Sequence, residues 1–365
     1  MDKLVFIAEY PHGEGEKGGE FRRIFAIDRR FQDLPRTYIK IGFGAHRKKN
    51  IREEGLVRIY ELNVFFHFFS LYRLLKSASV IYVQTLGSAL RILPFYFISV
   101  LTLLSSFFNS LVLTEEIREY DRFDGFQKWL RFYVYRFVEW IVGKKSSIIV
   151  TVSHQMTNFM RNTYQAMSAF YEIPIFDIST PDKKLEDHPD PYAFVYAGGV
   201  HPWQNIDLMI SVMKEIAHMQ EKAKFFLLGP NTEIFLEKIK GTILENRTLV
   251  DCVASDRLYR YYQSAAWGFV LRDDNWTNRV ACPTKLIEYM KYGVIPIVKS
   301  EVLGDFQTLD YGFLSYKECT LENLQKYLHE NIQEKNLKIV SELEKKAEKN
   351  LERLAKKIRQ MIAEG

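Results

Sequence analysis

The stretch WGFVLRDDNWTNRVACPTKLIEYMKYGVIPIV, residues 267–298, decides the fold. WGFVLR is an apolar run that reads as a buried strand, and DDNWTNRVAC reads as a loop. Pro283 stands where a helix begins, since a first turn does not need the N–H that proline lacks. Gly293 ends that helix and IPIV starts the next strand. Strand, helix and strand in this order form the crossover unit of a parallel sheet. The helix carries Lys285 and Glu288, three positions apart and so on one side. A lysine in the first turn puts positive charge at the positive end of the helix dipole. An anion bound there removes the conflict. Glu288 lies too far in for the same anion and suits sugar hydroxyls. The plain alternative is a surface Lys–Glu pair worth about 0.2–0.5 kcal/mol.

Upstream, YAGGVHPWQNIDLMI, residues 196–210, makes another passage from strand to helix through Gly198-Gly199. Ligands of parallel α/β domains collect at the carboxyl ends of strands, where glycine admits close backbone approach. His201 and Trp203 beside the glycines favour a site over a bare tight turn. With KFFLLG and TLV as strands and RLYRYYQSA as a helix, residues 181–331 read as one α/β domain.

The first half has the same alternation. LVFIA, TYIKI, VRIYEL, SVIYV, LVLT and SIIVTV read as strands, and FFHFFSLYRLLK and FQKWLRFYVYRFVEWIVG as helices. Residues 1–180 are therefore expected to form a second domain with a helix-covered parallel sheet. The stripe Trp129, Phe132, Tyr133, Arg136, Phe137 and Trp140 is expected to pack into its core, with a partner or membrane face as the lesser reading. PDKKLEDHPDP, residues 181–191, reads as the polar boundary loop. Residues 332–365 read as an amphipathic helix with Leu337, Val340, Leu343, Ala347, Leu351, Leu354 and Ile358 at steps of three and four. It is expected to pack back along the body.

Ile92 to Thr114 contains no charged residue and is long enough to span a bilayer. Pro94 and the serines within it favour another reading: a buried helix to about Phe107, a turn at Asn109-Ser110, and the strand LVLT. Composition is globular, with 47% hydrophobic and 26% charged residues. The net charge of +5, gathered at His46-Arg47-Lys48-Lys49 and along the C-terminal tail, forms no arginine-rich stripe for nucleic acid. On charge alone it reads first as a solvated face, and it also fits a surface that meets phosphate or anionic lipid. Cys252, Cys282 and Cys319 share no CxxC spacing, which argues against a disulfide frame or a zinc site. They read as reduced thiols of a cytoplasmic protein. MDKLVFIAEY is a strand pattern with early charges, unlike a signal peptide.

HGEGEKGG, residues 12–19, matches the dinucleotide fingerprint G-x-G-x-x-G through Gly13, Gly15 and Gly18. Glu14 and Glu16 would repel a pyrophosphate there. The loop is better read as one in which Gly18 and Gly19 present backbone N–H groups at a helix start.

Together, YAGG-x-HPWQNIDLMI and R-D-D-N-x-x-N-R-V-A-C-P-T-K-L-I-E-Y-M-x-x-G-x-x-P-I resemble the nucleotide-binding domain of GT-B glycosyltransferases, particularly bacterial enzymes related to glycosyltransferase family 4. The resemblance covers residues 194–298; the first half matches in architecture, in the glycine loop and in the VSHQM segment. It implies two Rossmann-like domains with a cleft between them and a long C-terminal helix. A nucleotide sugar, UDP- or GDP-linked, would be the substrate, with no cofactor and no metal required. The donor would meet Gly198, Gly199, Arg272, Asn278, Thr284, Lys285 and Glu288. Lys285 and Arg272 would take the diphosphate, Glu288 the ribose, and the loop around Asn278 the transferred sugar. Gly18 and Gly19 would face the acceptor. The family's first glutamate falls here on Val280, and its usual basic residues fall on Gly199 and Gln204, so Lys285 and Arg272 must compensate. An inverting reaction needs a base from the first domain, and Glu115 and Glu116 after LVLT are the candidates, Glu116 foremost.

The expected function is transfer of a sugar to a glycan or lipid-linked acceptor in cell-surface polysaccharide assembly. The expected setting is the cytoplasm, with peripheral contact at the inner face of the membrane. Two rivals stand beside it: an NAD-type oxidoreductase using the Gly13-Gly15-Gly18 loop, and a degenerate, non-catalytic GT-B partner subunit.

Overall fold

A computed structural model describes residues 3–11, 19–42, 50–98, 106–109, 114–174 and 189–365. The chain divides into two units. Unit 1 comprises Met1–Ile175 and Lys346–Gly365, and unit 2 comprises Phe176–Lys345.

Unit 1 runs β1 (Leu4–Ile7), α1 (Gly19–Asp28), β2 (Arg36–Gly42), β3 (Asn50–Glu54), β4 (Val57–Asn63), α2 (Phe68–Lys76), β5 (Val80–Val83), α3 (Leu86–Ile98), β6 (Ser106–Asn109), α4 (Thr114–Tyr120), α5 (Gly125–Lys145), β7 (Ile148–Thr151), α6 (His154–Tyr164) and β8 (Ala169–Glu172). The sheet order is β3-β4-β2-β1-β5-β6-β7-β8, parallel except where β3 pairs antiparallel with β4 at the edge. Side chains alternate across a strand, so β1 feeds two cores. Leu4 and Phe6 pack with Ile24 and Ile27 of α1, while Val5 and Ile7 pack with Leu71 of α2, Phe95 of α3 and Val138 of α5. A buried ion pair closes the first layer: Arg36 donates from Nε and Nη2 to the two carboxylate oxygens of Asp28, each at 2.6 Å, and Tyr38 adds its hydroxyl at 2.8 Å.

Unit 2 runs β9 (Asp190–Ala197), α7 (Ile206–Met219), β10 (Lys224–Leu228), α8 (Thr232–Ile239), β11 (Thr248–Asp251), α9 (Leu258–Ser264), β12 (Ala265–Val270), α10 (Trp276–Val280), α11 (Thr284–Lys291), β13 (Ile295–Val298), β14 (Leu314–Ser315), α12 (Leu321–His329) and the start of α13 (Ile332–Glu364). Its sheet, β11-β10-β9-β12-β13-β14, is parallel throughout. Strand order reverses between β9 and β12, which makes their carboxyl ends the topological switch point. Phe194, Phe225, Trp267 and Phe269 form the aromatic centre of the core beneath α7.

The 33-residue α13 serves both units in turn. Val340 and Leu343 are buried in its first part, where Asn336 also exchanges two hydrogen bonds with the backbone of Gly312 (2.7 and 2.9 Å). Farther on, Leu351, Leu354 and Ile358 join the first core of unit 1.

Several expectations need correction. Ser106–Asn109 is a strand between β5 and β7, so the helix does not reach Phe107; residues 99–105 and Ser110, the second residue of the expected turn, lie outside the described residues. A central parallel strand and a buried helix are both unbroken apolar runs, and periodicity does not separate them. Of the expected strand LVLT, residues 111–113 lie outside the described residues, and Thr114 opens α4. Glu115 and Glu116 therefore stand in a helix's first turn. The DDNWTNRVAC loop contains the short helix α10, capped by Asn275, whose side chain accepts from the Asn278 N–H at 2.9 Å. The stripe on α5 is not core: Trp129, Tyr133, Phe137 and Trp140 are each about half exposed, at 47–55%. Val138, Ile141 and Val142 supply the buried face instead. The loop at 12–18, with Gly13, Gly15 and Gly18, lies outside the described residues, and Gly19 opens α1. No helix among the described residues is long and apolar enough to cross a membrane.

Candidate functional site

The switch point of unit 2 gathers most of the donor-side residues. β9 ends at Ala197 and hands over to Gly198 and Gly199. Gly198 has φ +152°, a conformation L side chains rarely adopt, and a Cβ there would overlap Nζ and Cε of Lys285. Glycine at 198 is what allows the lysine in. Pro283 caps α11, so Thr284 and Lys285 are its first two residues. From there the Lys285 ammonium reaches back over β9. It donates to Gln204 Oε1 at 3.0 Å and sits 4.0 Å from the centre of the Tyr196 ring, in cation–π geometry.

Burial pushes the Lys285 ammonium well below the ordinary lysine range; the nearby Arg272 charge pushes it further and Glu288 opposes only in part. A lysine so placed is poorly compensated until an anion arrives. Tyr196 is fixed from its other end, donating to the Gly199 carbonyl at 2.6 Å. Tyr289, on the buried side of α11, accepts from the Ala197 N–H and donates to the Val195 carbonyl, both at 3.3 Å, and so ties the helix to the end of β9.

Arg272 follows β12 by two residues and donates to Asn278 Oδ1 at 3.3 Å. Asn278 is buried and returns a bond from Nδ2 to the Asp273 carbonyl at 2.9 Å. Asp273 is itself paired with Lys299 and accepts from Asn205 at 3.1 Å. Burial would raise its carboxyl, but those partners outweigh it and hold the group below the usual carboxylate range. This network fixes the loop after β12 against the turn before α7. Glu288, one turn into α11, accepts from the Tyr262 hydroxyl at 3.0 Å.

Gly198, Gly199, Arg272, Asn278, Thr284, Lys285 and Glu288 thus belong to one end of one sheet. Of the other sequence candidates, Gly18 lies outside the described residues and Gly19 starts α1. Glu116 is in the first turn of α4 in unit 1, next to Glu115, which pairs with Arg118 at 3.0 Å and Arg136 at 3.3 Å. Four residues that build the site are absent from the sequence candidates: Tyr196, Gln204, Tyr262 and Asp273. Gln204 did carry a signal, as the position on which a basic residue of the resembled family falls. Among the described residues no group of three or more His, Cys, Asp or Glu could hold a metal ion. The arrangement offers one recessed cation beside a second, a helix N-terminus aimed alongside, and a carboxylate a turn away.

No family model matches the sequence, and no curated protein matches it. Solved structures do. The sucrose-phosphate synthase of Thermosynechococcus elongatus is 14% identical, with all of both chains covered and a TM-score of 0.69. Anabaena HepE in complex with UDP and glucose is 13% identical over 100% of this chain and 99% of that one, with a TM-score of 0.59. The α,α-trehalose 6-phosphate synthase of Burkholderia multivorans is 9% identical over 100% and 99%, with a TM-score of 0.62. At such identities the likeness establishes architecture: the chain has the GT-B fold, two Rossmann-like α/β units with a long C-terminal helix.

Proposed function

We propose that the protein is a glycosyltransferase that binds a nucleotide-sugar donor in unit 2. It moves the sugar to a glycan or lipid-linked acceptor of a cell-surface polysaccharide. The observation that carries this reading is Lys285, a recessed lysine with no ion pair among the described residues, held over Tyr196 and Gln204 at the switch point in the gap that Gly198 leaves open. Solved structures of the same fold hold UDP with glucose and UDP-glucose, which makes UDP the first donor base to test. Closer kinship with family 4 rests on residues 194–298 alone.

In this reading the departing diphosphate gains negative charge as the sugar takes on oxocarbenium character. Lys285, Arg272 and the N-terminus of α11 stabilise that charge where water is scarce. Glu288 accepts from the ribose hydroxyls, held in place by Tyr262. Thr284 and Gly199 line the diphosphate, and Asn278 orients the transferred sugar. Glu116, in the first turn of α4, is assigned as base for an inverting transfer. Gly18 and Gly19 are assigned to the acceptor side. A cytoplasmic setting at the inner face of the membrane belongs to the same reading.

A thermal-shift screen tests it, with UDP, GDP, CDP, ADP, NAD and NADP against wild type, Lys285→Met and Glu288→Gln. A ligand that binds only the folded state raises its melting temperature. The expected result is a shift with one nucleoside diphosphate, reduced in both variants. A shift with NAD alone, equal in all three proteins, would overturn the reading in favour of an oxidoreductase.

A further inference from the structure

We propose that the outward face of α5 docks the protein onto an anionic lipid bilayer. Phe126, Trp129, Leu130, Tyr133, Phe137 and Trp140 recur at steps of three and four, so they form one stripe along the helix, opposite buried Val138 and Val142. All six are exposed, and Phe126 reaches 72%. Their rings form short runs: Phe126 stacks on Trp129 at 5.7 Å, Trp129 meets Tyr133 at 4.9 Å, and Phe137 stacks on Trp140 at 6.1 Å. An apolar strip of this length on a water-facing helix marks an interaction surface.

Charge selects the occupant. α5 carries Lys128, Arg131, Arg136, Lys144 and Lys145, while its one carboxylate, Glu139, is fully buried. Arg131 is held by Asp121 at 2.9 Å and Arg136 by Glu115 at 3.3 Å, which leaves the lysines as the charges that meet a partner. Lys144 also bonds Gln165, at 3.3 Å. Tryptophan and tyrosine settle at the headgroup level of a bilayer, and lysines beside them are drawn to anionic headgroups. α2 lies in the same helical layer, packed on the same sheet face, and exposes Phe65 and Phe66 just before it and Phe69 within it. The inference deepens the membrane setting of the proposed function, and because the surface is in unit 1, vesicle binding and donor binding fail or succeed separately.

The test uses the full chain and sedimentation with phosphatidylcholine vesicles, with and without phosphatidylglycerol. Tryptophan emission is followed in vesicles carrying acyl-chain bromines. Trp129→Ser/Phe137→Ser and Lys144→Glu/Lys145→Glu change exposed side chains only, and unchanged melting temperatures will confirm that both fold. Wild type is expected to bind the phosphatidylglycerol vesicles, with salt-sensitive affinity and bromine quenching. The aromatic pair should lose about tenfold or more in partition, and the lysine pair roughly fivefold per residue reversed. Failure of wild type to bind, or full binding by the aromatic variant, would overturn the proposal. So would a concentration-dependent dimer that the aromatic variant abolishes without any vesicle binding, since that would make the stripe an interface between copies.

Discussion

Replacing Lys285 with methionine keeps most of the side chain's volume and removes its charge. In the protein as described, the ammonium has the Gln204 carbonyl at 3.0 Å and the Tyr196 ring at 4.0 Å, with no ion pair among the described residues. A diphosphate arriving there would be its first full counter-charge. Removing one partner of such a buried charged contact costs about 2–4 kcal/mol, so Lys285→Met should raise the Kd for UDP roughly 30- to 1000-fold. Protons give a second readout. Burial and Arg272 hold the Lys285 pKa well down, and the ligand's charge would restore it, so binding should take up at most about one proton per UDP. Titration calorimetry in buffers of different ionisation enthalpy measures that uptake, and the variant should show none at this site. Stability supplies a third. The unfolded chain carries an ordinary lysine and binds more protons in the interval below about pH 10.4, so wild type should gain stability as pH rises through that interval. The variant should lack that increment. UDP binding by Lys285→Met within about twofold of wild type, with no buffer dependence in either protein, would refute the reasoning.

Three further outcomes follow from particular contacts. Gly198→Ala places a Cβ on the Lys285 ammonium and forces an unfavourable φ, so it should lower stability by about 1–3 kcal/mol and weaken UDP as much as Lys285→Met does. Gly199→Ala makes only ordinary contacts, 3.4 Å from Asn231 and His201, and should melt within a degree or two of wild type in calorimetry. In unit 1, Thr114 and Tyr164 both donate to one oxygen of buried Glu139 at 2.6 Å, and burial pushes its carboxyl up. The stability this acid contributes is full below about pH 4.3 and is lost as pH rises through its raised pKa. Glu139→Gln should therefore gain on wild type as pH rises above about 4.3 in urea melts, and a gap that stays constant with pH would count against it.

The alternation of strand and helix was legible because both sheets are parallel and buried, and the pattern of WGFVLR, helix and IPIV survives folding almost unchanged. Position 285 was legible too, since a proline fixes the helix start two residues earlier. Its surroundings were not. Tyr196, Gln204 and Tyr262 come from a strand, a turn and a helix distant in sequence, and only the folding of β9 beside β12, with α9 packed against α11, brings them to the site. Periodicity showed an aromatic stripe on α5 without showing which of two apolar faces meets the sheet. Val138 and Val142, smaller and β-branched, fit against the strands, and the large rings remain outside. Ser106–Asn109 failed for a related reason: its unbroken apolar context held no period to read.

The division of α13 between the units has a consequence for how the chain is made. Residues 176–345 are contiguous, so unit 2 has its whole sequence once that length has left the ribosome. Unit 1 does not. Leu351, Leu354 and Ile358 complete the core around Leu4, Phe6, Ile24 and Phe31, so residues 3–174 wait for a segment that follows unit 2 in the chain. Domains made on the ribosome ordinarily mature from the N-terminus onward. Here unit 1, though it starts earlier in the chain, is completed only after unit 2, and its interior lacks one wall until residues 351–358 have been made.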